Sequence, residues 1–204
     1  MKHMNNKLIG NQRGGVSIMV LSLLALVFCV TVMVVSVDFA LQSADIARLK
    51  NHVSLGLHAG SLEIDAQKLS EGNYEIKPSS KDKFYEYLRK NARLDNSNSA
   101  TDESYLPTGS QVKIHELSYV DYEQGIIRPL ENGRTNCALV DGKRVSCKIT
   151  LHAGTDQETT REVNEVVIGP SLVAIIETQH HAIGNLNDEA IVIAGKQQVR
   201  FLGR

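Results

Sequence analysis

Two cysteines, Cys137 and Cys147, stand on either side of the stretch ALVDGKRVS. Asp141-Gly142 at its centre is a hairpin turn signal. A two-residue turn on that pair puts Cys137 opposite Ser146. A three-residue loop on Asp141, Gly142 and Lys143 puts Cys137 opposite Cys147. Opposed strand residues have Cα atoms about 4.5–5.5 Å apart, within the range that a disulfide accepts. A Cys137–Cys147 bond is therefore expected in an oxidising compartment. The third cysteine, Cys29, sits inside an apolar run and reads as a small hydrophobe.

The other residues capable of chemistry do not assemble into a motif. Of seven histidines, His180 and His181 are adjacent. On a strand, neighbours face opposite sides, so the pair cannot chelate one ion. His52 and His58 miss the three- or four-residue spacing that aligns helical ligands. Asp95, Ser97 and Ser99 spell D-x-S-x-S, the metal-binding string of von Willebrand A domains, but RKNARL before it is not the buried apolar strand such a site needs. LPTG at 106–109 resembles a sortase signal without its spacer residue or apolar tail. No Cys-His zinc spacing, Walker loop, Gly-x-Ser-x-Gly elbow or HExxH string occurs. The expectation is a protein that is not an enzyme, with no cofactor and no metal.

What must position these residues begins with GVSIMVLSLLALVFCVTVMVVSVDF. Residues 16–37 contain 22 positions and no charge. At about 1.5 Å per residue a helix of that length covers roughly 33 Å, against about 30 Å of hydrocarbon. The apolar part of a cleaved signal is usually only about 7–15 residues and is followed by a small-x-small site. Ser36-Val37-Asp38-Phe39 is not such a site. A retained transmembrane helix is expected. Ser17, Ser22, Thr31 and Ser36 are tolerable in lipid because each hydroxyl can bond back to its own backbone.

Lys2, Lys7 and Arg13 precede the helix with no acid among them, which puts the N-terminus in the cytoplasm and the rest outside. Without those three bases, 19 basic residues face 23 acidic ones, a net charge near −4. No basic stripe of the kind that binds nucleic acid is present.

Beyond the membrane run, DFALQSADIARLKNHVSLGLHAGSLEID has no proline. Phe39, Ile46, Leu49, Val53 and Leu57 make a helical stripe, so the helix is expected to continue to about Asp65. SKDKFYEYLRKNARL predicts a short helix capped by Ser79 or Ser80, with Phe84, Tyr87 and Leu88 on one face. DNSNSATDESYLPTGS reads as a loop. From 111 onward come Val/Ile-rich runs separated by turn signals: QVKIHELSYV, with a one-residue shift that marks a bulge, then TNCALV, VSCKITLHA, REVNEVVIG, SLVAIIETQ and EAIVIAG. Strands joined by turns imply a mostly antiparallel sheet, and helices followed by strands imply an α+β plan.

The stretch QRGGVSIMVLSLLALVFCVTVMVVSVDFALQSADIARLKNHVSLGLHAGSLE resembles the N-terminal region of TadE/TadG-like proteins of tight-adherence (Flp-type) pilus assembly. Arg13, Gly14, Val16, Ile18, Asp38, Phe39, Leu49 and Asn51 stand where members carry Arg-Gly, a small/apolar start, an Asp with an aromatic or Gly, and a helix rich in Ala and Asn. The likeness covers about the first quarter of the chain. It implies a bacterial, single-pass, pilin-like or pilus-assembly protein, with Gly15 as the place of any processing. TadE-type pseudopilins carry a Glu shortly after that glycine. Here Met19 and Val20 stand in its place, so the chain is closer to the TadG side, without that side's large C-terminal domain.

The resulting plan has a cytoplasmic N-terminus (1–15), a transmembrane helix (16–37), a helical stalk (38–65) and an extracytoplasmic α+β, pilin-like domain (66–204). The expected function is a membrane-anchored structural or assembly component of a tight-adherence pilus or secretion apparatus. Its expected partners are the lipid bilayer and other pilus-assembly or pilin-like membrane proteins through the helix, with no nucleic acid. The alternative is a stalked extracytoplasmic binding or sensing domain.

Overall fold

The computed structural model describes residues 13–131, 133–152, 158–181 and 188–199. Two compact units meet in sequence at Leu41 and Gln42. One helix, α1 (Arg13–Ser61), runs through that boundary without interruption.

In the first unit every described side chain from Ser17 to Val37 is exposed, including all the large apolar ones. The hydroxyls behave as a lipid-facing helix requires. Ser22 donates to Met19 O at 2.9 Å, Thr31 to Val27 O at 2.9 Å and Ser36 to Val32 O at 2.7 Å. Each is thereby satisfied within its own helix.

The second unit is α+β, with α2 (Ala66–Ser70), α3 (Ser80–Ala92), β1 (Lys113–Asp121), β2 (Ile126–Pro129), β3 (Cys137–Val140), β4 (Arg144–Leu151), β5 (Thr159–Val166), β6 (Ser171–His181) and β7 (Asp188–Gln198). All strand pairs are antiparallel, in two sheets ordered β2-β1-β6-β7 and β3-β4-β5. The four-stranded sheet lies between a helical layer and the other sheet. Strand alternation shows this directly. Leu172, Ala174 and Ile176 of β6 join one core with Leu49, Val53 and Leu57 of α1 and Phe84 and Leu88 of α3. Val173 and Ile175, between them, join a second core with Val145, Cys147 and Ile149 of β4. Burial on both faces explains why SLVAIIETQ is apolar continuously and not alternately.

Close approach between layers depends on absent side chains. A Cβ on Gly195 of β7 would lie 2.9 Å from Leu57 Cδ1 and 3.0 Å from Val53 Cγ1. One on Gly60 would lie 2.9 Å from Leu172 Cδ2, and one on Gly56 3.1 Å from the Phe84 ring.

Several expectations are corrected in detail. The helix stops at Ser61, short of Asp65, because Asp65 caps the next helix by accepting from Gln67 N at 3.0 Å and Lys68 N at 3.3 Å. From Gln42 onward the expected stalk is part of the compact second unit. Within the expected stripe Leu49, Val53 and Leu57 are buried, whereas Phe39 and Ile46 are exposed. Ser79 is the N-cap residue of α3, one of the two expected, but its hydroxyl makes no capping bond. Ser80 Oγ donates to Gly60 O in the last turn of α1 at 2.8 Å, and Ser79 Oγ to Glu63, just past that helix, at 3.1 Å. Tyr87 is exposed, and Tyr85 takes its expected place in the core. The strand β2 was not expected from the sequence. It is four residues long and ends in a proline at a sheet edge, where a missing N–H costs no ladder bond.

Candidate functional site

The features with functional content are the bare length of α1, two buried polar groups, and an open cleft beside α3. The first is the plainest. A helix in water buries an apolar stripe, and one that is apolar all round needs an apolar surrounding. Between Ile18 and Val37 the helix offers apolar side chains in all directions and is long enough to cross a bilayer. Among the described residues there is thus one candidate membrane span, near the N-terminus.

The hairpin forms as a three-residue loop requires. Val140 pairs with Arg144 and Cys137 with Cys147, and the two sulfurs are bonded. Gly142 and Lys143 both have positive φ, at 79° and 59°. Cys147 is buried in the core between the sheets, so the bond ties the short edge strand β3 to that core. Cys29 is free and exposed on the bare part of α1.

Beneath this hairpin, β1 carries the expected bulge, between Ile114 and Glu116. The extra residue is His115, whose Nε2 lies 2.6 Å from Glu177 Oε2 with both side chains more than nine-tenths buried. Glu116, also buried, accepts from Ser118 Oγ and from Asn136 N. A buried carboxylate is tolerated when its oxygens are bonded in this way.

A second polar group joins α1 to the rest of its unit. Asp45 Oδ2 is 3.5 Å from His180 Nδ1, and Arg48 lies 5.8 Å from the centre of the Tyr105 ring. That ring packs 5.5 Å from His52, one turn further along the helix. Burial lowers the His52 pKa below its ordinary value, and the Arg48 charge lowers it further. Burial raises Tyr105, with Asp45 adding to the effect. His58, by contrast, is exposed, so the two helical histidines share no site.

The cleft beside α3 encloses about 620 Å³ and is lined by Lys81, Tyr85 and Arg89 of the helix together with Asn98 and Glu131. Tyr85 donates to Glu131, whose two oxygens lie 2.6 and 2.7 Å away. Burial and that carboxylate raise the Tyr85 pKa. Arg89 stacks 4.9 Å over the Tyr85 ring and donates to Asn98 Oδ1 at 2.8 Å. The main groups of the cleft therefore already satisfy one another.

The D-x-S-x-S string closes on itself. Asp95 Oδ1 accepts from Ser97 N and Ser99 N, both at 2.8 Å, and from Ser97 Oγ at 2.7 Å. This is a side-chain-stabilised turn, with the carboxylate turned toward its own backbone. The 106–109 stretch is likewise a turn, with Leu106 buried and Ser110 N bonded to Pro107 O at 2.9 Å. Among the described residues no three His, Cys, Asp or Glu side chains come together as a metal site. Gly15 lies in the opening turns of α1.

No family model, curated protein or solved structure matches the chain.

Proposed function

We propose that the protein is a membrane-anchored, pilin-like structural or assembly component of a bacterial tight-adherence pilus or secretion apparatus, without enzymatic activity. The observation that carries this reading is the division of α1 into a bare apolar half and a half built into an antiparallel-sheet domain. Such a helix anchors the domain and leaves lipid-facing surface for other helices. The N-terminus is cytoplasmic and the second unit outside, as the bases before the span favour. Any processing occurs at Gly15 and leaves the span in place. The Arg13-Gly14 start and Asp38-Phe39 support the assignment to this kind of apparatus.

The experiment is deletion of the gene in its host, followed by complementation. The full chain restores surface filaments or adherence, and residues 42–204, the whole second unit exported alone, do not. Unchanged filaments and adherence after deletion contradict the reading. The cleft beside α3 favours a second reading, a stalked binding or sensing domain. Ligand binding by a form lacking residues 1–41, with no effect of deletion on filaments, selects it.

A further inference from the structure

β5 is an edge strand. Among the described residues it pairs only with β4, and Thr159, Thr160, Arg161, Glu162, Asn164 and Val166 along it are exposed. The direction of its backbone groups follows from the ladder. Val167 N donates to Lys143 O at 2.7 Å, opposite in register to it. In an antiparallel pair, residues alternate between bonding that partner and turning away from it. Positions 159, 161, 163 and 165 therefore bond β4, and positions 160, 162, 164 and 166 direct their N–H and C=O groups to the open edge. Lys196 takes the Val166 carbonyl. Thr160, Glu162 and Asn164 remain, a strand's worth of bonding groups with no strand beside them among the described residues.

Charge decides what fits there. A second copy can add its own β5 antiparallel only in registers that keep each side chain on its own face, which shift by two residues. Centring the pair on Arg161, Glu162 or Glu165 sets that residue against itself, and like charges directly opposed are unfavourable. Centring on Asn164 opposes no charges. Centring on Val163 sets Arg161 against Glu165 of the second copy, and does so twice by symmetry. In that register 162 opposes 164 and 160 opposes 166, so the outward-turned groups are the ones that bond, the Val166 carbonyl held by Lys196 excepted. Arg161 and Glu165 then fall at the closer, non-bonded positions, where side chains approach best.

We propose that β5 is a self-recognition edge. Two copies join their three-stranded sheets across it, with Val163 on the two-fold axis and Arg161–Glu165 pairs on either side. The charges that keep an edge from pairing at random here select one partner and one register.

Sedimentation of the full chain in detergent micelles at low salt tests this. The protein is expected to dimerise. Arg161→Glu is expected to weaken the dimer by at least about tenfold, since it turns two attractive cross-strand pairs into repulsive ones. Adding Glu165→Arg to it is expected to restore the dimer, although it also removes the Glu165–Lys196 contact at 3.6 Å. Asn164→Pro removes one outward N–H and leaves the β4 ladder intact, so it too is expected to weaken the dimer. A monomer at every concentration overturns the proposal. So does a dimer that withstands both Arg161→Glu and Asn164→Pro, which would place the contact elsewhere, including the helix.

Discussion

The two halves of α1 have the same backbone and opposite surfaces. From Ile18 to Val37 the helix exposes apolar side chains on every side. From Leu49 to Leu57 the buried apolar side chains, Leu49, Val53 and Leu57, all lie on one face, and Leu55 alone of the large apolar residues there points elsewhere and is exposed. A one-sided stripe belongs to a domain, because its other sides meet water. An all-round apolar surface belongs in lipid. Glycine shows the same contrast. Gly56 and Gly60 lie in the second half, where α3 and β6 come too close for a Cβ.

Substitutions at matched leucines sharpen this difference most. Leu57→Ala is expected to cost the domain about 2–5 kcal/mol, the range for emptying a buried leucine site. Leu24→Ala is expected to leave domain unfolding unchanged. Chemical denaturation in detergent, followed by the tyrosine signal of the domain, reads both. Equal effects would mean that the first half also packs into a protein core.

A charge reverses the ranking. Leu24→Arg places a guanidinium near the middle of the bare half, at a cost of about 2.5–3.5 kcal/mol for insertion. The expected outcome is less protein in the carbonate-resistant membrane fraction, with the domain still folded.

The cysteines divide in the same way. The loop closed by Cys137–Cys147 is short, so the entropic gain is at most about 2.7 kcal/mol. Cys137→Ser, or a reductant, is expected to lower the thermal midpoint of the domain. Cys29→Ala is expected not to. Thiol labelling of denatured, unreduced protein should find Cys29 alone reactive.

The smallest effect concerns acid. His52 has a lowered pKa in the folded chain, through burial and then Arg48. As pH falls through the ordinary histidine value of about 6.5, the unfolded chain takes a proton that the folded chain refuses. Stability is therefore full above that value and declines below it. His52→Gln should make the midpoint less sensitive between pH 7.5 and 5.5. An unchanged pH profile in that variant would remove His52 as a source of the acid response.

Much of this was legible in the chain itself. The bare half of α1 could be read because length and absence of charge are local properties. The hairpin could be read because Asp-Gly marks a turn over a few residues, and its register because only a three-residue loop there sets the two cysteines opposite each other. The bulge at His115 could be read because alternation visibly slips there. Long-range demands were not legible. Ser79 and Ser80 look like caps, and only the arrival of Gly60 at the end of α1 and of Glu63 just beyond it diverts their hydroxyls. Tyr85 and Tyr87 are indistinguishable until α3 has a neighbour to face. The His115–Glu177 contact joins residues far apart in sequence, and nothing near either one announces it. The four residues of β2 are too few to show a period.

The central claim is that the bare half of α1 is a retained single membrane span. Intact-mass measurement of the protein extracted from membranes tests it most directly. The expected mass is that of a chain that still contains residues 16–37, with or without the residues up to Gly15. A mature chain beginning near residue 38 would contradict the claim.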